Sequence, residues 1–348
     1  EFRRVLFRSV KGFETKVERV PVVANLRYDQ IDHIVTRDWL VDSTISVSDT
    51  PTEVLELRPE LSWLMTLALH LKAQREVVRG KPETFNRPDY SFKLDKMQGA
   101  EIQGDERVEI VPRVRGAPLD LIVAECMIVA NSTWGAWLAT LGVPAIYRSQ
   151  ASLAFGVKVR MGTKALPHAG IGVAAYAWST SPLRRYTDLV NQWQIIAAAQ
   201  HGATAALAAP FKPKDAALFA IIASFDDAYS SYNQFQNTME RYWTLRYVEQ
   251  RSITELTASV MKEGMVRADD LPLVLPVMGA QELPRGAHIR VRLGAIDFIA
   301  LEVTGTLIER LDFDAQDPDA KPQIDDEADD IEPLATVAIA MDVNEEQT

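Results

Sequence analysis

The stretch Tyr176–Asn191 reads Y-A-W-S-T-S-P-L-R-R-Y-T-D-L-V-N, and the rest of the chain is best read outward from it. A Thr-Ser-Pro turn stands directly before two adjacent arginines, and an amphipathic helix follows them. Pro182 fixes φ and suits the first turn of a helix, where its missing N–H costs nothing. Thr180 or Ser181 offers a cap for that helix. Leu189, Trp193 and Ile196 recur at helical spacing and predict one buried face. Arg184 and Arg185 are thereby expected in the first turn, where outward backbone N–H groups and guanidinium forks together suit a phosphate.

The chain has 348 residues, 47% of them apolar, which is ample for one large domain and a small one. The single cysteine, Cys126, excludes an internal disulfide and a cysteine zinc cluster. No stretch reads as the roughly 18 apolar residues of a membrane span. Val5–Phe7 is too short for the apolar core of a signal peptide, so a cytoplasmic protein is expected. The formal net charge is −11, but Asp312–Thr348 alone holds thirteen carboxylates against one lysine, a net of −12. The preceding body is therefore close to +1, and nothing in its bulk charge repels a polyanion.

Glu1–Ser9, E-F-R-R-V-L-F-R-S, resembles translated linker or adapter sequence, and the natural protein is expected to extend upstream of Val10. From Val10 to about Gln250 strand-like and helix-like stretches alternate. Lys16–Val23, Ser91–Leu94 and Arg107–Val114 read as strands. Tyr28–Trp39, Ser62–Val78, Asp120–Leu141, Ser181–Gln200 and Lys214–Gln250 read as helices, the last with a break near Phe225. From about Thr254 short aliphatic runs (Met265–Arg267, Leu271–Pro276, Ile289–Leu293, Ile299–Val303) alternate with Gly, Pro and Asp, which predicts a small all-β barrel. Beyond Asp312 no periodicity remains, and residues 313–348 are expected to be a disordered acidic tail.

With these elements in order, the chain resembles the RNase II/RNB superfamily of 3′→5′ exoribonucleases. T-S-P-L-R-R-Y-T-D-L at Thr180–Leu189 is similar to that family's T-S-P-I-R-R-Y-x-D-L motif. A-N-L-R-Y-D-Q-I at Ala24–Ile31, F-N-R-P-D-Y at Phe85–Tyr90, A-E-C-M-I-V-A-N at Ala124–Asn131, P-A-I-Y-R-S-Q at Pro144–Gln150 and T-M-E-R-Y-W at Thr238–Trp243 resemble further family elements in the same order. The resemblance implies an α+β chain. Its RNB-type catalytic domain over 10–253 would be a mixed sheet with surrounding helices, lacking its N-terminal part. A small S1/OB-like barrel over 254–312 would follow. It also implies processive hydrolysis of single-stranded RNA to nucleoside 5′-monophosphates with Mg²⁺, by a monomer with no membrane attachment. Gln150 and Gln192 stand where the family usually has histidine, and Trp193 replaces an arginine.

The family's metal site is a D-x-x-x-x-x-D-x-D-D run, whose carboxylates hold the Mg²⁺ that activates a water for attack on the scissile phosphate. This sequence has no such run, and its place in the family falls upstream of residue 1. The expectation is a chain without metal ligands of its own, inactive alone. Asp226–Asp227 reads as a helix N-terminal cap.

Roles follow by resemblance, each beside a plainer reading. Arg184 would stabilise charge at the scissile phosphate, or simply pair with Asp188 one turn on. Arg185 would bind RNA, or face solvent or a carboxylate. Glu240 would contact the outgoing 3′ nucleotide, or sit on a solvated helix face opposite an apolar side bearing Tyr232, Phe235, Met239 and Tyr242. Tyr28 and Glu125 would favour RNA over DNA by hydrogen-bonding a ribose 2′-OH, or be packing and a surface charge. Phe85 would stack on a base, or join a core. Cys126 reads as a buried, inert thiol. The five histidines have no metal-ligand spacing. Arg148, Lys158, Arg160 and Lys164 could line an RNA channel or be solvated. Two alternatives remain: a catalytically dead RNA-binding module, and an unrelated phosphate-binding α/β enzyme.

Overall fold

The computed structural model describes residues 12–22, 24–48, 50–83, 89–95, 102–113, 117–154 and 157–311. The adapter-like segment, Phe85 and the acidic tail lie outside the described residues. In chain order the elements are α1 (Tyr28–Ile31), α2 (Arg37–Val41), α3 (Thr52–Glu56), α4 (Arg58–Arg79), β1 (Asp89–Asp95), β2 (Arg107–Arg113), α5 (Pro118–Thr140), β3 (Tyr147–Ser149), β4 (Arg160–Gly162), α6 (Tyr186–His201), α7 (Ala205–Ala208), α8 (Ala216–Gln250), β5 (Glu255–Val260), β6 (Met265–Ala268), β7 (Val274–Met278), β8 (His288–Asp297) and β9 (Glu302–Arg310). Among the described residues they fall into two compact units, one drawn from residues up to 83 and 117–226, the other from 89–113 and 227–311.

The first unit is mostly helical. Ile31, Ile34, Val35, Trp39 and Leu40 pack with Met65 and Ala68 of α4 and Leu119, Leu121 and Ile122 of α5. Leu138 of α5, Tyr147 of β3 and Ile195 and Ala198 of α6 form a second cluster. A mixed sheet is not found among the described residues: β1–β2 and β3–β4 are separate antiparallel pairs. Residues 16–22 are not a strand either. That stretch follows a segment fastened by side chains, with Trp134 donating to Thr15 Oγ1 at 3.1 Å and Phe13 edge-on to Trp137.

Several boundaries move for local reasons. The expected Tyr28–Trp39 helix splits in two, because Thr36 Oγ1 accepts from Trp39 N–H at 3.2 Å and restarts the helix as a cap. α8 runs unbroken through Phe225, so Asp226–Asp227 lies inside a helix and caps nothing. The side-chain bond at its start comes from Asp215, whose Oδ1 accepts from Ala217 N–H at 2.9 Å. α5 is long and apolar enough by length and composition to cross a membrane, against the sequence expectation. Its Glu125 and Asn131 are nonetheless buried in polar contacts within the first unit.

The second unit holds the closed barrel, in strand order β5-β6-β7-β9-β8. β7 and β9 pair in parallel and the other neighbours antiparallel. Alternation puts Val266, Leu275, Val277, Ile289, Val291 and Val303 inside, and Leu245 and Val248 of α8 close the core. The β1–β2 hairpin joins this unit. Ile110 packs on the barrel core, and Gln250 bonds Val108 N–H and Glu106 C=O.

Gly305 lies where β7, β8 and β9 converge, and an added Cβ would collide with Val291 Cγ1 and approach Val277 Cγ2 to 3.0 Å. Gly305→Ala is expected to destabilise the protein by about 1–3 kcal/mol through overpacking. Denaturant unfolding checks this, and an unchanged midpoint would mean that the barrel relaxes around a methyl group.

Candidate functional site

The two arginines do not sit in a helical turn. Asp188 Oδ1 accepts from Ser181 N–H at 2.9 Å and draws the T-S-P-L-R-R segment into a turn of its own. Inside it, the N–H groups of Arg184 and Arg185 both bond Ser181 C=O. α6 therefore begins at Tyr186, and Arg185, in extended conformation, is its N-cap residue without a side-chain cap. The buried face of α6 carries Thr187, Asp188, Val190, Asn191, Gln194, Ile195, Ala197 and Ala198. It is rotated from the predicted Leu189–Trp193–Ile196 stripe because buried polar side chains (Thr187, Asp188, Asn191, Gln194) share the inward face with Val190, Ile195, Ala197 and Ala198. Trp193 is on the exposed side, edge-to-face with Tyr186 at 6.2 Å.

Buried amides hold the approach to the turn. Asn131 Oδ1 accepts from Ser179 N–H at 2.9 Å, and its amide donates to Tyr176 and Thr180 hydroxyls. Asn191 bonds both polar groups of the Ile146 backbone and donates to Trp178 C=O at 2.7 Å. Gln192 donates to Ser179 C=O at 2.5 Å. Asn131 and Asn191 are buried away from water, so their bonds to Trp178 C=O, Ser179 N–H and Thr180 Oγ1 hold this part of the chain.

The arginines divide the work. Arg185 is buried, donates to Asp188 Oδ1 at 2.7 Å and lies over the Trp178 ring at 4.0 Å. Its carboxylate reading is the one the structure gives. Arg184, half-buried, is on the turn with Nη2 on Ser181 Oγ at 3.2 Å, and Asp188 pairs with Arg185 instead. Arg148 is buried too, 3.8 Å from the Trp178 centroid, which removes it from the exposed basic group of Lys158, Arg160 and Lys164. His168 is buried and accepts from Ile171 N–H. Burial first, and the Arg148 charge second, push its pKa down to about 4.

Glu125 is neither a surface charge nor open to a groove. It is 1% exposed, and the Arg75 guanidinium donates to both its oxygens, Nε to Oε2 at 3.0 Å and Nη2 to Oε1. Arg75 also donates to Ile171 C=O at 2.6 Å and to Glu83 Oε2 at 3.0 Å. Burial opposes the guanidinium charge, yet the Glu125 hydrogen bonds and the Glu83 charge hold its pKa above the ordinary arginine value. Cys126 is exposed rather than buried. Partial desolvation, then the Glu125 charge, raises its thiol pKa, so it is little ionised.

Glu240 belongs to the second unit. It is half-buried on α8 and accepts from Gln236 Nε2 at 2.9 Å. Next to it, Arg241 donates to Leu301 and Val274 carbonyls and pins this part of the helix to the barrel. Tyr232 and Phe235 are exposed, so they do not form the expected apolar side. Tyr28 opens α1, and its side chain, like all of Phe85, is outside the description. Among the described residues no three His, Cys, Asp or Glu side chains converge to hold a metal ion.

The profile of the RNB domain matches residues 10–154 and 153–201, more than half of the chain. The chain belongs to the RNB-domain family. An uncharacterized ribonuclease of Synechocystis is 27% identical over 208 residues, covering 53% of this chain and 30% of that protein. The Dss1 exoribonuclease of Candida glabrata, crystallised as an active-site mutant, is similar in fold: TM-score 0.60, 20% identity, 82% of this chain and 38% of that one. Apo Mycoplasma genitalium RNase R gives a TM-score of 0.58 at 16% identity, over 81% of this chain and 53% of that one. Its complex with ribose-methylated single-stranded RNA gives 0.57 at the same identity and coverage. This RNB-family chain thus spans about a third to a half of the length of these relatives.

The residues to which the sequence gives no role are Arg75, Asn131, Trp178 and Asn191; Arg148 it places with the exposed basic group rather than beside Trp178. Two partners of Arg75, Glu125 and Ile171, lie 50 and 96 positions away, a separation no periodicity reveals. Only the Arg185–Asp188 pair, three residues apart, had a local signal. Asp188→Ala leaves a buried guanidinium unpaired and is expected to cost about 3–5 kcal/mol of unfolding free energy. A denaturant titration showing under 1 kcal/mol would mean the turn has another anchor. His168 gives a pH signature. The unfolded chain takes a proton near the ordinary histidine pKa, whereas the folded chain refuses it until about 4. Stability is full above that ordinary value and falls as pH drops toward 4, by on the order of 3 kcal/mol. Unfolding curves between pH 7 and 4 should show this slope, and His168→Gln should flatten it.

Proposed function

We propose that this chain is the RNA-end portion of a processive 3′→5′ exoribonuclease that hydrolyses single-stranded RNA to nucleoside 5′-monophosphates with Mg²⁺. The observation that carries the reading is the turn at Thr180–Arg185, held by Asp188 and entered from a backbone that Asn131, Asn191 and Gln192 fasten at Trp178 and Ser179, with Arg184 on it. A guanidinium on a pre-fixed backbone contributes electrostatic stabilisation without reorganising during reaction, which suits charge building on a phosphate oxygen. Arg185 supports this from below by holding the turn on Asp188. Glu240 is assigned to the outgoing 3′ nucleotide, Tyr28 to the ribose and Phe85 to base stacking.

The described residues do not fit a divalent ion, so no step here is routed through one. On this reading the Mg²⁺ ligands come from residues outside those described. The five-stranded closed barrel with its parallel β7–β9 closure supports an S1/OB-type RNA-binding module. The protein is proposed to act as a cytoplasmic monomer. A second reading, a catalytically dead RNA-binding relative, has in its favour only that no metal-ligating cluster is found among the described residues.

The test follows 5′-labelled single-stranded RNA in Mg²⁺. The chain as given should bind the RNA without shortening it, and the natural full-length protein should shorten it from the 3′ end to mononucleotides. Mononucleotide release by this chain alone would overturn the placement of the metal ligands. Binding without shortening by the full-length protein would establish the RNA-binding relative instead. In the active protein Arg184→Ala should lower kcat by about 10²–10³-fold, the scale of losing one charge-stabilising donor. Steady-state kinetics showing a change in KM alone would reduce Arg184 to an anchoring role.

A further inference from the structure

Between Asp227 and Glu240, α8 carries no charged side chain. Ala228–Met239 reads A-Y-S-S-Y-N-Q-F-Q-N-T-M, twelve residues of a helix that is largely exposed along this length. The chain is 24% charged, so a solvated stretch of that length would ordinarily hold about three charges. Hydroxyls, amides and aromatic rings stand there instead. Phe235 is 64% exposed and Tyr232 39%. Two neighbouring rings left in water are the kind of surface that marks a binding site.

The hydroxyls beside them are already used. Ser231 Oγ donates to Asp227 C=O at 2.9 Å and Thr238 Oγ1 to Gln234 C=O at 2.8 Å, both within the helix. What the helix presents outward is therefore rings and side-chain amides. Tyr232, Gln236 and Glu240 follow at intervals of four, and Phe235 borders Tyr232 at i+3. Gln236 Nε2 donates to Glu240 and joins the row at its end. Arg241 ties its own side of the helix to barrel carbonyls. Tyr232 stands nine positions earlier, at about 100° each, which puts it on the opposite side. From Tyr232 to Glu240 the axis rises about 12 Å, the length of three or four bases stacked about 3.4 Å apart.

The chemistry of this row selects its occupant. Phosphates call for cations, and the row has none, with Asp227 and Glu240 at its two ends. Nucleobases call for flat apolar faces and uncharged amides, which the row supplies. We propose that Tyr232 and Phe235 form a stacking ledge for the bases of single-stranded RNA, running along α8 from Glu240. The inference rests on the reading that Glu240 meets the outgoing 3′ nucleotide, and it adds a place for the bases next to that one. A ledge that holds bases by their faces accepts any sequence and favours purines, whose rings offer more area. It also lets a strand advance by one base without breaking an ion pair.

The test measures the affinity of the chain for oligoadenylate and oligouridylate over a range of salt, before and after substitution. Alanine is the best helix former, so Tyr232→Ala and Phe235→Ala should leave far-UV circular dichroism and the thermal midpoint unchanged. Each should weaken oligoadenylate binding about fivefold or more, the scale of one lost base–ring stack, and oligouridylate binding by less. The slope of log affinity against log salt should stay as it is, because no phosphate contact is removed. Tyr232→Phe should bind like the unaltered chain, since the ring is used and the hydroxyl is not. If an alanine variant does not fold, Phe235→Leu, which keeps bulk and loses the ring, decides in its place. RNA affinity that survives the Tyr232→Ala, Phe235→Ala double variant would overturn the ledge alone and leave these rings to a protein partner. Tyr232→Phe as weak as Tyr232→Ala, or a shallower salt slope in the alanine variants, would count against it equally. An unaltered chain that binds neither oligomer would sink the functional reading and the ledge with it.

Discussion

The carboxylate of Asp188 is the charge around which the candidate site is arranged. It is fully buried and accepts from the Ser181 backbone and the Arg185 side chain, so it defines both ends of the turn between them. A buried carboxylate demands donors, and two of those it finds, Ser181 N–H and Arg185, bend the chain away from the helix that the sequence pattern predicts, while Thr187 Oγ1 donates to the other oxygen. Arg185 is consumed by this requirement. Arg184, one residue earlier, is left on the turn. Which of two adjacent arginines is buried against a carboxylate and which stays on the turn is therefore set by one acid in the following helix.

The stack beneath the turn extends the same logic. Trp178 takes the guanidiniums of Arg148 and Arg185 within 4.0 Å of its ring centre. A cation over an indole face keeps part of the stabilisation it loses with water, so two arginines can be buried in a small volume. The neighbouring His168 responds by remaining neutral. The site thus concentrates positive charge in groups that cannot lose it, and leaves its one titratable base uncharged across the neutral range.

How far the sequence disclosed this can be argued residue by residue. The strands of the hairpin and three barrel strands, β6, β7 and β8, were legible because short aliphatic runs and turn formers are local signals, whereas β5 was not read and only the start of β9 was. α5 and α8 were legible from length and periodicity. The start of α6 was not, because the competing interaction is a side-chain acceptor seven residues ahead of the backbone it binds. The family motif drew attention to this loop, and the Asp188 acceptor explains why it is a turn. Glu125 shows the converse. Its place in a familiar string suggests a ligand contact, but Arg75, fifty positions earlier, reaches it first. Buried ion pairs between distant segments leave no trace in any window of sequence, and that is where the reading from sequence had least to offer.

The β1–β2 hairpin has a consequence for how this chain can be divided. Its residues lie inside the stretch matched to the RNB domain, yet Ile110 packs on the barrel core, Tyr90 bonds the carbonyl of Asp269, and Gln250 fastens the second strand to the end of α8. A barrel excised after α8 would lose a side of its own packing. What remained would carry an orphan hairpin with nothing to cover it. The folding unit and the homology unit are interleaved, and a recombination event that exchanged one barrel for another would have to bring along a second, discontinuous piece of chain.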